Sequence, residues 1–194
     1  MEEIYGKIAS ALVASKNIES NEEELYKYAI KITIHTLINT ITTLLIGIVF
    51  GMLKECICFF LVFFILRKFT GGVHAKRYVN CFFSSVILIA ISLCIIRLLQ
   101  NNNYRFEFIC VDMFSVVLIC ALSPVQNINR PLSSRENKIY RTLSIILSVF
   151  VLLAVLYLNI NGRKVSYSVG MGLIVVSLLM IIAHVKEKIT LQLQ

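Results

Sequence analysis

Residues 142–160 read TLSIILSVFVLLAVLYLNI, nineteen consecutive positions without a charged side chain. At about 1.5 Å of rise per residue such a helix reaches roughly 29 Å, close to the ~30 Å hydrocarbon core of a bilayer. Five more apolar segments occupy residues 32–53, 56–66, 79–99, 106–123 and 165–184 of the 194-residue chain. Crossings of about 20 residues each fit six times into this length with room for loops. The fold class that follows is all-α: a polytopic integral membrane protein of about six transmembrane helices, built as a single membrane domain over 1–194. The segment 56–66 is the weak one, because eleven residues rise only about 16 Å. Either the first helix ends near Gly47 or Gly51, or the second runs past Arg67 and Lys68 while those side chains snorkel to water.

Composition points the same way. Hydrophobic residues make up 58% of the chain and charged residues 15%, against roughly 45–50% and about 25% in soluble domains. That balance argues against a water-soluble globule. The formal net charge is +8, yet no Lys/Arg-rich run of the kind that grips nucleic acid is present, so no nucleic-acid partner is expected.

Residues 1–31 form the only extensively polar stretch. Ile4, Ile8 and Leu12 recur four apart with Lys7, Ser10 and Lys16 between them, the pattern of an N-terminal amphipathic helix on a membrane surface. Ser20-Asn21-Glu22-Glu23 has the Ser-x-x-Glu form of a capping box and predicts a new helix start there. Glu2 and Glu3 stand where a secretory signal would be basic, so the N-terminus is expected to be retained.

Six crossings with both ends on one side divide the basic residues unevenly. Lys7, Lys16, Lys27, Lys31, Arg67, Lys68, Lys76, Arg77, Arg130, Arg135, Lys138, Arg141, Lys186 and Lys188 fall on the side of the termini. Only Lys54, Arg97, Arg105, Arg163 and Lys164 fall on the other. The positive-inside rule makes the first side cytoplasmic. The reading is therefore a multi-pass cell-membrane protein with cytoplasmic termini and two cytoplasmic loops, 67–78 and 124–141.

The six cysteines, at 56, 58, 81, 94, 110 and 120, lie in or beside apolar segments, which argues against a disulfide framework. Cys56-Ile57-Cys58 lacks the spacing and partner ligands of a zinc site, so no metal and no cofactor are expected. Most of these thiols read as packing residues. Cys81 differs. It follows Gly71-Gly72 and His74 at the mouth of the third predicted helix, where the helix N-terminus, Lys76 and Arg77 favour a thiolate. A histidine and a cysteine so placed suggest a nucleophile with its base. Residues seven apart on a straight helix are separated by about 10.5 Å along the axis, so His74 has to lie on a segment that folds back toward Cys81. The alternative is a loop histidine at a headgroup surface and a small buried thiol.

The pattern Arg67-x4-Gly72-x-His74-x6-Cys81, after about two apolar segments in a basic chain of this length, resembles the accessory gene regulator B (AgrB) family, membrane cysteine endopeptidases of Gram-positive quorum sensing. Ser123-Pro124 and Asn129-Arg130-Pro131-Leu132 are similar to that family's proline-containing basic loop. The resemblance implies that Cys81 is the nucleophile and His74 its base, with Arg67 and Gly72 supporting the site. It implies as partners an AgrD-like precursor peptide, whose C-terminal tail is cut off and whose middle segment is closed into a thiolactone or lactone, and a second copy in a homodimer. Arg130, Arg135 and Lys138 then offer a landing place for an acidic peptide tail, although positive-inside topology alone also demands basic residues there.

Asp112, inside the fourth apolar segment, is a functional candidate by position. An interfacial or interhelical hydrogen bond is its plainer role. His35 and His184 read as interfacial, and Ser166-x-x-x-Gly170 reads as a close helix contact. A small peptide exporter or other transporter shares the spans and basic loops but does not need the thiol of Cys81. A sensor or structural subunit needs neither His74 nor Cys81.

Overall fold

The computed structural model describes residues 2–14, 22–71, 78–102, 104–125 and 133–192. Seven helices follow in chain order: α1 (Glu2–Ala14), α2 (Glu23–Val49), α3 (Leu53–Thr70), α4 (Tyr78–Asn102), α5 (Arg105–Leu122), α6 (Ser134–Ile160) and α7 (Ser166–Gln192). The last six coincide with the six apolar segments. Among the described residues, four stretches are long and apolar enough to cross a membrane: Glu23–Val49, Val79–Asn102, Ser134–Ile160 and Ser166–Lys186. Four of the six expected spans meet this criterion of length and composition. Helices α3 and α5 have 18 residues each. The first carries Lys54, Glu55, Arg67 and Lys68, the second Arg105, Glu107 and Asp112.

The chain divides into two compact units, Met1–Thr43 and Leu44–Gln194. In the first, Tyr5 is buried and its hydroxyl lies 3.0 Å from His35 Nε2. The two rings meet edge to face at 5.8 Å. His35 thus holds α1 on α2. The capping residues Ser20 and Asn21 lie outside the described residues.

In the second unit α7 is central, packing on α3, α5 and α6 and more sparsely on α4. The pattern is that of a protein solvated by lipid. Phe83, Ile87, Ile91, Ile95 and Leu98 make an exposed apolar stripe along α4, while Asp112, Ser115, Ser144, Ser148, Ser166, Ser168 and Ser177 are buried between helices. Small residues let helix backbones approach where no aqueous hydrophobic effect drives them together. Several of these hydroxyls bond their own helix, as Ser115 Oγ does to the Val111 carbonyl at 2.9 Å and Ser144 Oγ to the Tyr140 carbonyl at 2.7 Å. A hydroxyl bonded in this way needs no water, whereas Ser168 Oγ has no partner among the described residues.

The ends of α2 and α6 are set by glycines. Gly51 and Gly162 have φ of 64° and 68°. The Gly51 amide donates to the Ile48 carbonyl and the Met52 amide to the Gly47 carbonyl; Gly162 and Arg163 bond Asn159 and Leu158 in the same way. This paired pattern terminates a helix. Both routes proposed for the short second segment are taken: α2 stops before Gly51, and α3 runs past Arg67 and Lys68 to Thr70. At about 1.5 Å per residue its 18 residues span roughly 27 Å.

The expected loop 124–141 is shorter than its sequence predicts. Ser133 caps α6: its Oγ accepts the Glu136 amide at 3.2 Å, and its own amide donates to Glu136 Oε2 at 3.0 Å. Arg135, Lys138 and Arg141 consequently lie on a helix and not in a loop, because this reciprocal cap satisfies two otherwise orphaned amides. Ser133→Ala is expected to cost about 1 kcal/mol, read as faster amide exchange confined to the first turns of α6.

Candidate active site

The last turn of α3, the first turn of α4, the segment after α5 and the start of α6 come together. Phe69 on α3 meets Tyr140 on α6 edge to face, with centroids 6.1 Å apart. Helix α5 ends at Ser123, whose amide donates to the Ile119 carbonyl at 3.0 Å. Two residues later the Val125 amide donates to the Thr70 carbonyl at 2.9 Å, and Val125 and Gly71 form an isolated parallel bridge. The Val125 side chain packs on the core made by Leu66, Val116, Ile119, Leu173, Val176 and Met180. The two connecting segments are therefore tied at their starts.

Cys81 is the fourth residue of α4 and half-buried. The first four amides of a helix lack intrahelical acceptors, and Cys81 lies among them at the positive end of the helix dipole. Arg67 reaches this place from the last turn of α3, beyond the apolar segment. Its Nη1 donates to the Gly71 carbonyl at 2.7 Å. Burial lowers the guanidinium's pKa from its ordinary value, and the nearby Cys81 thiolate works in the opposite direction. Arginine remains charged under such opposing influences.

None of the six cysteines is joined in a disulfide. Cys56 is a packing residue: it is fully buried against Gly47, where an added Cβ would lie 2.8 Å from the Cys56 Cβ. Cys94 and Cys110 are exposed on the flanks of α4 and α5. Cys81 and Cys120 stand toward the end where the connecting segments gather; Cys120, in the last turn of α5, packs on the core around Leu66 and Ile119, whereas Cys81 stands at a helix start.

The structure thus brings Arg67 to Cys81. Gly72, His74 and Arg130 lie outside the described residues. Arg135 and Lys138 are exposed on the first turns of α6, the helix that Phe69 joins to α3 through Tyr140. Asp112 makes neither an interfacial nor an interhelical hydrogen bond: it is fully buried, and neither carboxylate oxygen has a partner among the described residues. It packs instead on Gly170 of α7 beside Phe108. That is the close contact expected of Ser166-x-x-x-Gly170, and it keeps Asp112 in the bundle interior. Val125 and Tyr140 were not singled out by sequence. The Gly-Gly pair marks Gly71, but nothing in the sequence marks its partner across 54 positions.

The profile described as "Accessory gene regulator B" matches residues 5–183. The chain is 28% identical over 188 residues to "Putative AgrB-like protein 2" of Clostridium perfringens, covering 90% of this chain and 86% of that protein. It is 26% identical over 147 residues to "Protein FsrB" of Enterococcus faecalis, covering 69% and 58% respectively. To "Putative AgrB-like protein" of Listeria monocytogenes it is 24% identical over 139 residues, covering 68% and 65%. No solved structure matches it. With a family profile spanning nearly the whole chain over an all-helical architecture with apolar spans, this protein belongs to the accessory gene regulator B family of quorum sensing.

Proposed function

We propose that the chain is a membrane cysteine endopeptidase that removes the C-terminal tail of an AgrD-like precursor peptide and promotes closure of the remainder into a thiolactone. The observation that carries this reading is Arg67 within electrostatic reach of Cys81 at the start of α4. A cation and the helix N-terminus place positive potential where the attacking sulfur and the oxyanion would lie.

The chemistry runs in two exchanges. The Cys81 thiolate attacks the scissile carbonyl; the C–N bond breaks, and the leaving amine takes a proton from the His74 imidazolium. The peptide's N-terminal part is then a thioester on Cys81. A cysteine thiol of the same peptide gives its proton to His74 and attacks that thioester. Its new C–S bond replaces the one to Cys81, and the Cys81 thiolate is regenerated. One thioester becomes another, so ring closure is nearly neutral in energy and needs no nucleotide. It does need water kept from the acyl-enzyme, which a site at the bilayer edge favours. Candidates for the oxyanion donor are the first amides of α4, Arg67 and Asn80.

In this reading 71–78 and 124–133 face the cytoplasm with both termini, and Arg135 and Lys138 attract an acidic peptide tail before cleavage. Reversing both charges, Arg135→Glu with Lys138→Glu, is expected to raise KM about tenfold at low ionic strength while changing kcat little, and the difference should shrink with salt. An equal loss at every salt concentration contradicts that role.

The test of function uses the purified full chain in liposomes with the short peptide encoded by the adjacent reading frame. Mass spectrometry should find the free tail and an N-terminal fragment lighter by one water than its linear acid. A linear acid alone argues for hydrolysis without cyclisation. An intact peptide accumulating across the bilayer argues for a transporter.

A further inference from the structure

Helices α4 and α5 are consecutive but do not pack as a pair. Among the described residues α4 touches α7 and, more sparsely, α3, with no comparable contact to α5. The wedge between α4 and α5, floored by α7, is a cavity of about 420 Å³, within the range of small-ligand sites. Its walls are side chains of α4 between positions 88 and 99, of α5 between 104 and 111, and of α7 between 171 and 178; all but Ser92, Tyr104 and Glu107 are apolar. Ile91, Ile95, Val111 and Leu178 line it and are still 39–55% exposed, so the groove opens sideways to the bilayer. From 88 to 99 a helix rises about 16 Å, half of a ~30 Å hydrocarbon core. The groove therefore begins at the end of α4 remote from Cys81 and stops near mid-bilayer, the depth of one leaflet. A spanning helix of another protein would need a slot twice as long.

The mouth has the chemistry of the headgroup level. Tyr104, of a type favoured at membrane–water interfaces, borders it with Glu107. The turn between α6 and α7 is drawn alongside. Gln100 Nε2, next to the lining residue Leu99, donates to the Lys164 carbonyl at 3.4 Å, and Asn159 Nδ2 donates to the Arg105 carbonyl at 3.5 Å. The Arg105 guanidinium lies over that turn, both terminal nitrogens 3.8 Å from where a Cβ on Gly162 would stand. Arg105, Arg163 and Lys164 thus gather at this end, and none of them forms an ion pair among the described residues. Three cations against the one carboxylate of Glu107 favour a headgroup of net negative charge, and a guanidinium matches phosphate geometry. We infer that the groove holds one acyl chain of an anionic phospholipid from the leaflet opposite Cys81, with its phosphate at Arg105 and Lys164. The lipid completes the packing of α4, the helix whose start carries Cys81, on a flank where protein contacts are few. The site needs only the packing of α4, α5 and α7, and it stands whether or not the peptidase reading does.

The test uses the purified full chain in detergent with phosphatidylglycerol, phosphatidylcholine or inorganic phosphate added, read by native mass spectrometry and by the thermal midpoint. One phosphatidylglycerol should stay on each chain, preferred about tenfold over phosphatidylcholine. It should also raise the midpoint, as any ligand of the folded state does, whereas inorganic phosphate should not. Val111→Trp fills the groove and should abolish retention of lipid. Met113→Trp, exposed on the same helix but outside the groove, should leave retention unchanged. Arg105→Gln with Lys164→Gln should erase the preference for phosphatidylglycerol. Lys54→Gln with Arg97→Gln removes the same charge at residues that do not line the groove and should keep that preference. Should Val111→Trp fail to fold, Ile91→Phe on the facing wall decides in its place. Retention untouched by filling the groove, or a preference lost equally in the two double variants, overturns the site. Stabilisation by inorganic phosphate alone overturns it too, as does a second copy of the chain in the groove, seen as dimers that Val111→Trp dissolves with no lipid held.

Discussion

Cys81→Ala is expected to abolish release of the tail from the precursor peptide, with protein level and thermal midpoint unchanged. The side chain is half-buried at a helix start and contributes little packing, so its loss should not unfold the bundle. Chemically the loss is complete, because no covalent intermediate forms without the thiol. His74→Ala should retain a residue of activity, about 10²–10⁴-fold below wild type, the usual contribution of a positioned acid–base group. Cys81→Ser should resemble Cys81→Ala, since a hydroxyl beside Arg67 remains protonated at pH 7. A peptide exporter predicts the reverse: all three variants keep moving peptide. Chromatography of tail peptide over time distinguishes them, and tail release by Cys81→Ala at the wild-type rate sinks the peptidase reading.

The second large effect is on assembly of the bundle. A Cβ on Gly170 would collide with an Asp112 carboxylate oxygen and lie 2.6 Å from Phe108 Cε1 and 2.8 Å from Asp112 Cγ. Asp112 is short and fully buried, so it has nowhere to swing, and α5 must move off α7. Overpacking of this sort costs about 1–3 kcal/mol. Gly170→Val adds two methyls to the clash and should lower the thermal midpoint in detergent sharply, while Gly170→Ala lowers it less. Gly6→Ala on α1, where a Cβ meets nothing within 4 Å, should be neutral or slightly stabilising. Because Asp112 and Gly170 touch, their substitutions should not add. Asp112→Ser in the Gly170→Ala background should recover stability by relieving the collision. Strict additivity of the two changes contradicts this packing.

The helical architecture was readable from the spacing and length of the apolar segments, and each of the last six helices lies over one of them. Two properties escaped. The second segment, now α3, already stood out as the weak one, but the length and charge of α5 also set it apart from the four long apolar helices, a difference that a list of hydrophobic runs hides. The start of α6 was also displaced, because Ser133-x-x-Glu136 has the same capping form recognised at Ser20 but sits amid basic residues that look like loop. Charged residues continue a helix readily once it is capped. At the candidate site, Arg67 and Cys81 were legible as parts of one local pattern, fourteen positions apart. The Thr70–Val125 hydrogen bond and the Phe69–Tyr140 contact were not, since they join residues far apart in sequence through main-chain geometry and ring packing. Asp112 shows the limit from another direction. Its position in a span was plain, whereas its burial against a glycine backbone depends on which face of α5 meets α7.

The central claim is that Cys81 carries the peptide as a thioester, and trapping that species tests it most directly. A precursor whose ring-forming cysteine is replaced by alanine can be cleaved but cannot close. Incubated with the wild-type chain in liposomes and quenched in acid, it should leave an adduct with the mass of the N-terminal fragment. That adduct should be removable by hydroxylamine and should map to the peptide containing Cys81, in step with release of one tail per enzyme. Tail release without an adduct, or an adduct on any other cysteine, would contradict the account.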